Sequence, residues 1–132
     1  RFTQRFTESM LSAGAKLIIH IGSNSGRYGK PYAEDYAATK SALAKYCEIR
    51  GTLAGKEQGA RICCIELGGV NNDFWKHVRG AAWHAKRVAE TMIPPDGKGM
   101  TSEQVAELVI SLCLLPDNLA VKSLLVVGRN YQ

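Results

Sequence analysis

The sequence predicts one domain of the α/β class, in which helices cover both faces of a parallel sheet. Near-continuous apolar runs, which suit strands buried on both sides, alternate with segments whose apolar residues recur every three or four positions, as in helices. The 132 residues, 45% of them hydrophobic, suffice for one ordinary domain, and no repeat or linker divides them. Helices that alternate with buried strands are typical of this class.

The first half of the chain has the order helix, strand, helix, strand. Residues 1–12 show helical spacing that stops at Gly14, and residues 16–23 hold an apolar run bounded by small and polar residues. Residues 32–53 form an amphipathic helix of about six turns. Residues 61–67 are a second buried strand, which two glycines close.

Residues 71–100 form an irregular excursion with a helical centre at residues 75–92. The centre is followed by a break at Pro94, Pro95, Gly97 and Gly99. A loop excursion of this length inside a domain usually carries function, so we expect it to lie at the site.

The chain closes with one more helix and strand. The helix begins with an N-cap at Thr101 or Ser102 and ends by Pro116. Residues 124–127 are a short apolar strand before Gly128. With this last pair, the order of elements predicts a parallel sheet with helices on both faces.

The distribution of charged and apolar residues argues against two kinds of partner, nucleic acids and membranes. The formal net charge is +5, but the basic residues are scattered and form only one loose group, at Lys76, Arg79, Lys86 and Arg87. We expect a solvated face there rather than a nucleic-acid site. No apolar run approaches the roughly 18 residues of a membrane helix, so no membrane partner is expected.

The four cysteines predict neither disulfides nor a metal site. They form no C-x-x-C pair and no ligand spacing with the three histidines. Each lies in an apolar stretch, as reduced core cysteines do, which predicts a reducing, cytoplasmic compartment. His20, inside the first strand, is expected to be a hydrogen-bonded strand histidine rather than a ligand, and His77 and His84 are expected on a solvated helix face.

Three side chains carry the chemistry that the sequence suggests. Tyr36 and Lys40 are four residues apart on a helix, so their side chains project from one face, about 5–6 Å apart at Cβ. Tyrosine is a poor acid or base near neutrality, and an adjacent ammonium favours its phenolate. Ser23 follows a buried strand at the sheet edge where α/β proteins bind ligands, and Ser25 is expected to be a turn residue.

This pattern resembles the active-site half of the short-chain dehydrogenase/reductases. The shared features are Ile21-Gly22-Ser23, a tyrosine thirteen residues after that serine, and Y-A-A-T-K as the Y-x-x-x-K motif. The likeness continues through the second strand to the last helix and strand. It implies the C-terminal half of a Rossmann-type doubly wound parallel sheet in an NAD(P)-dependent oxidoreductase.

The resemblance also implies a role for each matching residue in the interconversion of an alcohol and a carbonyl. Tyr36 would be the general acid/base, Ser23 would polarise the carbonyl, and Lys40 would favour the phenolate and bind the nicotinamide ribose. The cofactor would be NAD or NADP, the choice between them being open. The remaining implied contacts with the cofactor are Gly68, Gly69, Val70 and Asn72. Residues 71–100 would be the substrate loop, which contains the aromatic residues Phe74, Trp75 and Trp83.

The chain departs from the family pattern at several points. Leu67-Gly68 stands where the family has Pro-Gly, Asn72 where it commonly has Thr, and Val126-Val127-Gly128-Arg129 where it has Val-Asp-Gly-Gly. The family's glycine-rich phosphate turn has no match in these residues, so we expect them to be part of a longer chain.

Two alternatives stay open at this stage. The first is a catalytically inactive fragment or regulator of the same fold that binds a protein partner. The second concerns the aromatic residues of the substrate loop, which either line a substrate site or only pack the loop onto the rest of the domain. Tyr32, likewise, lies either at the mouth of that site or over the loop after the first strand. A homo-oligomer through the helices of residues 1–12 and 32–53 is implied by the resemblance alone.

Overall fold

The computed structural model describes residues 1–90 and 99–128. The elements, in chain order, are helix α1 (Phe2–Ser12), strand β1 (Leu17–Ile21), a 3₁₀ turn (Asn24–Gly26), α2 (Glu34–Gln58), β2 (Arg61–Leu67), α3 (Phe74–Arg79), α4 (Ala81–Ala89), α5 (Ser102–Cys113) and β3 (Ser123–Val126). In these residues no helix is long and apolar enough to cross a bilayer.

The three strands form a parallel sheet in the order β1-β2-β3. Leu17 of β1 lies opposite Arg61 of β2, and Cys64 of β2 lies opposite Ser123 of β3. Each pair of neighbouring strands is joined by a helical connection, as parallel pairing requires. The predicted α/β class and parallel sheet are confirmed.

The core has one half on each face of the sheet, because successive strand residues point to opposite sides. On one face, α1 and α2 cover Ile18, Ile62 and Cys64. On the other face, α5 covers Cys63 and Ile65. The expected helices on both faces are therefore present.

The ends of two helices follow from identifiable residues. In α5, Thr101 caps the helix: its side chain accepts from the N–H of Gln104, whose own side chain accepts from the N–H of Thr101. Helix α2 ends at Gly59, whose φ of +61° suits glycine. The prediction that this helix spans residues 32–53 was wrong at both ends, since α2 begins at Glu34 and continues through Gly55 to Gln58. Gly51, also inside it, lets the helix approach β2 closely: an added Cβ there would be 3.1 Å from the carbonyl oxygen of Ile62.

Other predictions need correction. Strand β1 is buried only in part, with Ile21 45% exposed, because it lies at an edge of the described sheet. The helical centre of the excursion is two helices, since Gly80 breaks it with a φ of +88°. His84 is buried rather than solvated, and Cys113 is exposed rather than in the core. Met92, Pro94, Pro95, Gly97 and Arg129 lie outside the described residues.

Candidate active site

The carboxyl ends of β1 and β2 place the predicted site residues at one edge of the sheet. Ser23 follows β1 by two residues, and Gly68 follows β2 directly. In open α/β sheets this edge is where ligands bind, because strand ends and loops meet there.

Ser23 occupies a well-defined position at the start of the 3₁₀ turn. Its side chain is 8% exposed, and its Oγ accepts the backbone N–H of Ser25 at 3.2 Å. This bond uses an acceptor site of the hydroxyl, so the hydroxyl proton remains able to donate to another group. Ser25 itself is a buried turn residue, as the sequence suggested.

The 3₁₀ turn is held directly against α2. A Cβ built on Gly26 would lie 2.8 Å from the backbone carbon of Lys40 and the backbone nitrogen of Ser41. The hydroxyl of Ser41 donates to the carbonyl oxygen of Gly26. The turn that follows Ser23 therefore packs on the same turn of α2 that carries Lys40.

Tyr36 and Lys40 lie side by side on α2. The ammonium of Lys40 is 5.6 Å from the centroid of the Tyr36 ring and donates to the carbonyl oxygen of Ile21 at 3.0 Å. This hydrogen bond ties the lysine to the end of β1. An ammonium has three donors, so this bond leaves two for other acceptors.

The backbone after β2 is held by the segment that precedes α5. The N–H of Asn71 donates to the carbonyl of Met100 at 2.7 Å, and the N–H of Met100 donates to that of Gly69 at 3.0 Å. Gly68 donates to the carbonyl of Val126 at 2.7 Å. These bonds fix residues 68–71 at the carboxyl edge.

The side chain of Asn72 accepts a hydrogen bond from the start of α3 at this edge. Its Oδ1 accepts the backbone N–H of Phe74 at 3.0 Å, the first residue of α3. The carboxamide nitrogen of Asn72 keeps two donors, which is the part of the side chain that a ligand can use.

Five aromatic rings, one of them that of Tyr36, form a connected group. We call this group the aromatic cluster; its members are Tyr32, Tyr36, Phe74, Trp75 and Trp83. The ring of Tyr36 lies 5.3 Å from that of Trp75 and 6.0 Å from that of Phe74. Trp83 lies 5.5 Å from both Trp75 and Tyr32. Of the three aromatic residues predicted in the substrate loop, Phe74 and Trp75 thus contact the predicted catalytic tyrosine, and Trp83 joins them through Trp75.

Arg87 covers the outer side of the aromatic cluster. Its guanidinium lies 5.4 Å from the Tyr32 ring centroid and 5.6 Å from that of Trp83, which are cation–π distances. Burial raises the pKa of Tyr32, and Arg87 acts in the opposite direction. In the sequence, Arg87 stood out only as a member of a loose basic group. Its position four residues after Trp83 on a helix could have indicated the contact between these two side chains.

A buried carboxylate next to the site was missed at the sequence level. Glu66, 3% exposed, accepts two hydrogen bonds from Arg27, at 2.7 and 3.0 Å, and one from the Ser123 hydroxyl at 2.6 Å. Its pKa is lowered, chiefly by the hydrogen bond from Arg27. The pair joins the loop after the 3₁₀ turn to β2 and β3. A single acid in an otherwise apolar strand was the available signal.

The remaining titratable candidates lie outside the site. His20 lies 3.2 Å through Nε2 from the hydroxyl of Thr7, a hydrogen-bonded strand histidine as predicted, and burial lowers its pKa. Within residues 1–90 and 99–128, no three His, Cys, Asp or Glu residues are grouped so that they could hold a metal ion.

Structural comparison matches nearly the whole chain to known proteins, whereas sequence comparison matches a smaller part of it. No protein-family model matches the chain. Over 81 residues, which are 61% of this chain and 24% of the relative, the sequence is 32% identical to human 17-beta-hydroxysteroid dehydrogenase type 1. Among solved structures, the closed form of serine dehydrogenase complexed with NADP+ matches 95% of this chain and 49% of its own, with 23% identity and a TM-score of 0.75.

A short chain dehydrogenase from Bacillus anthracis str. 'Ames Ancestor' gives a similar result, with 19% identity and a TM-score of 0.69 over 98% of this chain and 51% of that one. This chain therefore spans about half the length of the solved structures that it matches. The matched proteins are short-chain dehydrogenase/reductases, and both the resemblance to that family and the partial Rossmann-type α/β fold are confirmed.

Proposed function

We propose that this chain, with its short-chain dehydrogenase fold, forms the catalytic half of an NAD(P)-dependent oxidoreductase that interconverts an alcohol and a carbonyl. One observation carries the proposal. The ammonium of Lys40 lies 5.6 Å from the ring of Tyr36 and is bonded to the end of β1, beside the turn that holds Ser23. This arrangement supports proton transfer by Tyr36 at the carboxyl edge of the sheet, where α/β proteins bind ligands.

Each of the three side chains has a defined part in the proposed reaction. In the reducing direction, the hydroxyl of Tyr36 gives its proton to the carbonyl oxygen, and in the oxidising direction the phenolate takes the alcohol proton. Lys40 stabilises the phenolate through its charge. Ser23 donates its free hydroxyl proton to the same substrate oxygen and so stabilises the charge that develops there.

The residues present fit the nicotinamide end of a dinucleotide. Lys40 has two uncommitted N–H donors, the carboxamide nitrogen of Asn72 has two more, and the backbone of residues 68–70 lies at the same edge. When bound, the nicotinamide supplies or accepts the hydride. The NADP+ in serine dehydrogenase supports this class of cofactor, and the choice between NAD and NADP stays open.

The test is conversion of Tyr36 to phenylalanine in the full protein that carries these residues. With a panel of alcohols and carbonyls and each nicotinamide, Tyr36→Phe should lower turnover by about 10²- to 10⁴-fold with an unchanged unfolding midpoint. Tyr28→Phe is the matched control, because Tyr28 is 55% exposed on the loop after the 3₁₀ turn, and it should keep full turnover. Equal turnover of the two variants would contradict the proposal.

The alternative, an inactive regulator of the same fold, gives a different result in the same experiment. Wild type would then show no turnover with any member of the panel. Tyr36→Phe would retain the affinity for a protein partner, measured by calorimetry once that partner is captured. Loss of turnover and retention of partner affinity are therefore separate outcomes.

We also propose that α1 and α2 form the contact between two copies of the chain. Phe2 and Phe6 stack with ring centroids 6.1 Å apart and are 82% and 55% exposed, and Ile49 and Leu53 of α2 are 57% and 43% exposed. Exposed apolar side chains grouped on neighbouring helices are typical of association surfaces. A homo-oligomer would remove these side chains from water.

A further inference from the structure

The rings that surround Tyr36 form a continuous surface rather than isolated contacts. Trp75 meets Tyr36 at 67°, close to the edge-to-face arrangement that aromatic pairs favour, and Phe74 meets it at a tilt of 46°. Trp75 in turn lies 5.5 Å from Trp83, so the surface extends from the reacting phenol onto α4. The chain has two tryptophans, and both lie here.

This surface is still open to a ligand. Phe74 is 43% exposed, and Tyr36, Trp75 and Trp83 are only partly buried. Rings that merely packed the excursion onto the body would be expected in the core, and the described core lies instead on the two faces of the sheet. The open rings are continuous with the side chain that is proposed to transfer the proton.

Two cations next to the aromatic cluster, Lys76 and Arg87, are paired with carboxylates within the excursion. Arg87, which covers Tyr32 and Trp83, pairs with Glu90 at 2.5 Å. Lys76, next to Trp75 in the chain, pairs with Asp73 at 3.0 Å. The ammonium of Lys40, 5.6 Å from the Tyr36 ring, is proposed to serve the phenolate and the cofactor. What the cluster itself offers a substrate is therefore aromatic faces and edges rather than an anion site.

We propose that the substrate is an uncharged alcohol or carbonyl whose reacting carbon is bonded to a planar apolar ring. This proposal rests on the proposed function and adds the class of substrate. A flat ring can pack against the faces and edges of Trp75 and Phe74 while its oxygen reaches Tyr36. A flexible alkyl chain gains only burial of apolar area and loses conformational freedom when it binds.

The test compares two ketones with the same number of carbon atoms, α-tetralone and open-chain 2-decanone. In the full protein with nicotinamide present, affinity is measured by calorimetry and turnover by kcat/KM. We expect wild type to favour α-tetralone about tenfold in both. Trp75→Leu, which keeps the apolar bulk but removes the ring, should abolish the preference, while Trp75→Phe should retain it. Tyr28→Leu, which removes an exposed ring outside the aromatic cluster, is the matched control and should leave the preference unchanged.

The outcomes separate this proposal from the proposed function. Tyr36→Phe should lose turnover and still bind α-tetralone more tightly than 2-decanone. Turnover of both ketones with equal kcat/KM and equal affinity would overturn the ring preference and leave the oxidoreductase intact. A ring preference in binding without turnover of any substrate would remove the oxidoreductase and keep the aromatic surface as a ligand site. If Trp75→Leu does not fold, the ring preference is still tested by comparing the two ketones with the wild type and with Trp75→Phe.

Discussion

At the residue scale, the hydrogen bonds of the buried carboxylate Glu66 matter most for the structure around the site. A carboxylate that is 3% exposed persists inside a strand because three hydrogen bonds replace its water. Two of these come from one guanidinium in a bidentate arrangement, which is the geometry in which Arg recognises carboxylates best. The residue ties the loop after the 3₁₀ turn to the sheet, next to Ser23.

Replacement of Arg27 by methionine should destabilise the protein in a pH-dependent way. Arg27 lowers the pKa of Glu66, so its stabilising effect is present above the unfolded pKa of about 4.5 and is lost as pH falls through the lower folded pKa. The loss of stability on Arg27→Met, measured by urea unfolding, should thus be large near neutral pH and should decrease progressively as pH falls below about 4.5.

A matched control for that variant is Lys45→Met. Lys45 pairs with Glu48 at the surface, where both side chains are more than half exposed, so its loss should matter little at any pH. A pH-independent effect of Arg27→Met would show that Arg27 contributes by packing rather than by holding the carboxylate.

Cysteine reactivity should differ sharply between positions. Cys47, Cys63 and Cys64 are buried, and burial raises the pKa of Cys63 to about 11, whereas Cys113 is exposed. A disulfide reagent such as DTNB should label one thiol per chain rapidly in the native protein and all four in denaturant. Cys113→Ser should remove the rapid phase, and a rapid phase that persists in this variant would contradict the described burial.

At the element scale, the contact between the 3₁₀ turn and α2 positions the site. Gly26→Ala should destabilise the fold by about 1–3 kcal/mol, because the new Cβ would lie 2.8 Å from backbone atoms of α2 that cannot move independently. The same variant should lower kcat, because the turn that carries Ser23 is displaced relative to Lys40.

Gly29→Ala serves as the matched control for the turn. A Cβ at Gly29 meets nothing within 4 Å, so its effect on the free energy of unfolding should stay within about 0.5 kcal/mol. Equal unfolding midpoints and equal kcat for the two alanine variants would mean that the turn and α2 are not in close contact.

Element order was predictable from the sequence, whereas the bounds of two elements were not. The run of apolar residues in β2 predicted Arg61–Leu67, the bounds observed. In α2, the local pattern does not show where the helix ends, because glycine is favoured both where a helix touches a strand closely and where a helix ends. The excursion was taken as one helix because local spacing does not report the positive φ at Gly80.

At the scale of the whole molecule, the exposed apolar residues of α1 and α2 predict concentration-dependent association. The double variant Phe2→Ser, Phe6→Ser should raise the dissociation constant of the dimer at least about tenfold, measured by analytical ultracentrifugation, because two exposed rings are lost. Ile110→Ser is the control, since Ile110 is 58% exposed on α5, at the opposite face of the sheet. A wild-type protein that stays monomeric at high concentration would contradict the proposed contact.

The sequence by itself determined what depends on neighbours along the chain. The α/β order, the position of Ser23 at the end of a strand and the adjacency of Tyr36 and Lys40 follow from strand and helix periodicity, which are local properties. These features predicted the fold class and the candidate catalytic trio before any tertiary contact was known.

Only the tertiary structure decided which distant residues meet. The bond from Arg27 to Glu66 joins residues 39 apart, and Tyr36 meets Trp75 across a similar separation. It also decided which cysteine faces water and that His84 is buried. Such pairings arise when helices and strands pack, because burial and partner choice depend on elements that the local pattern does not contain.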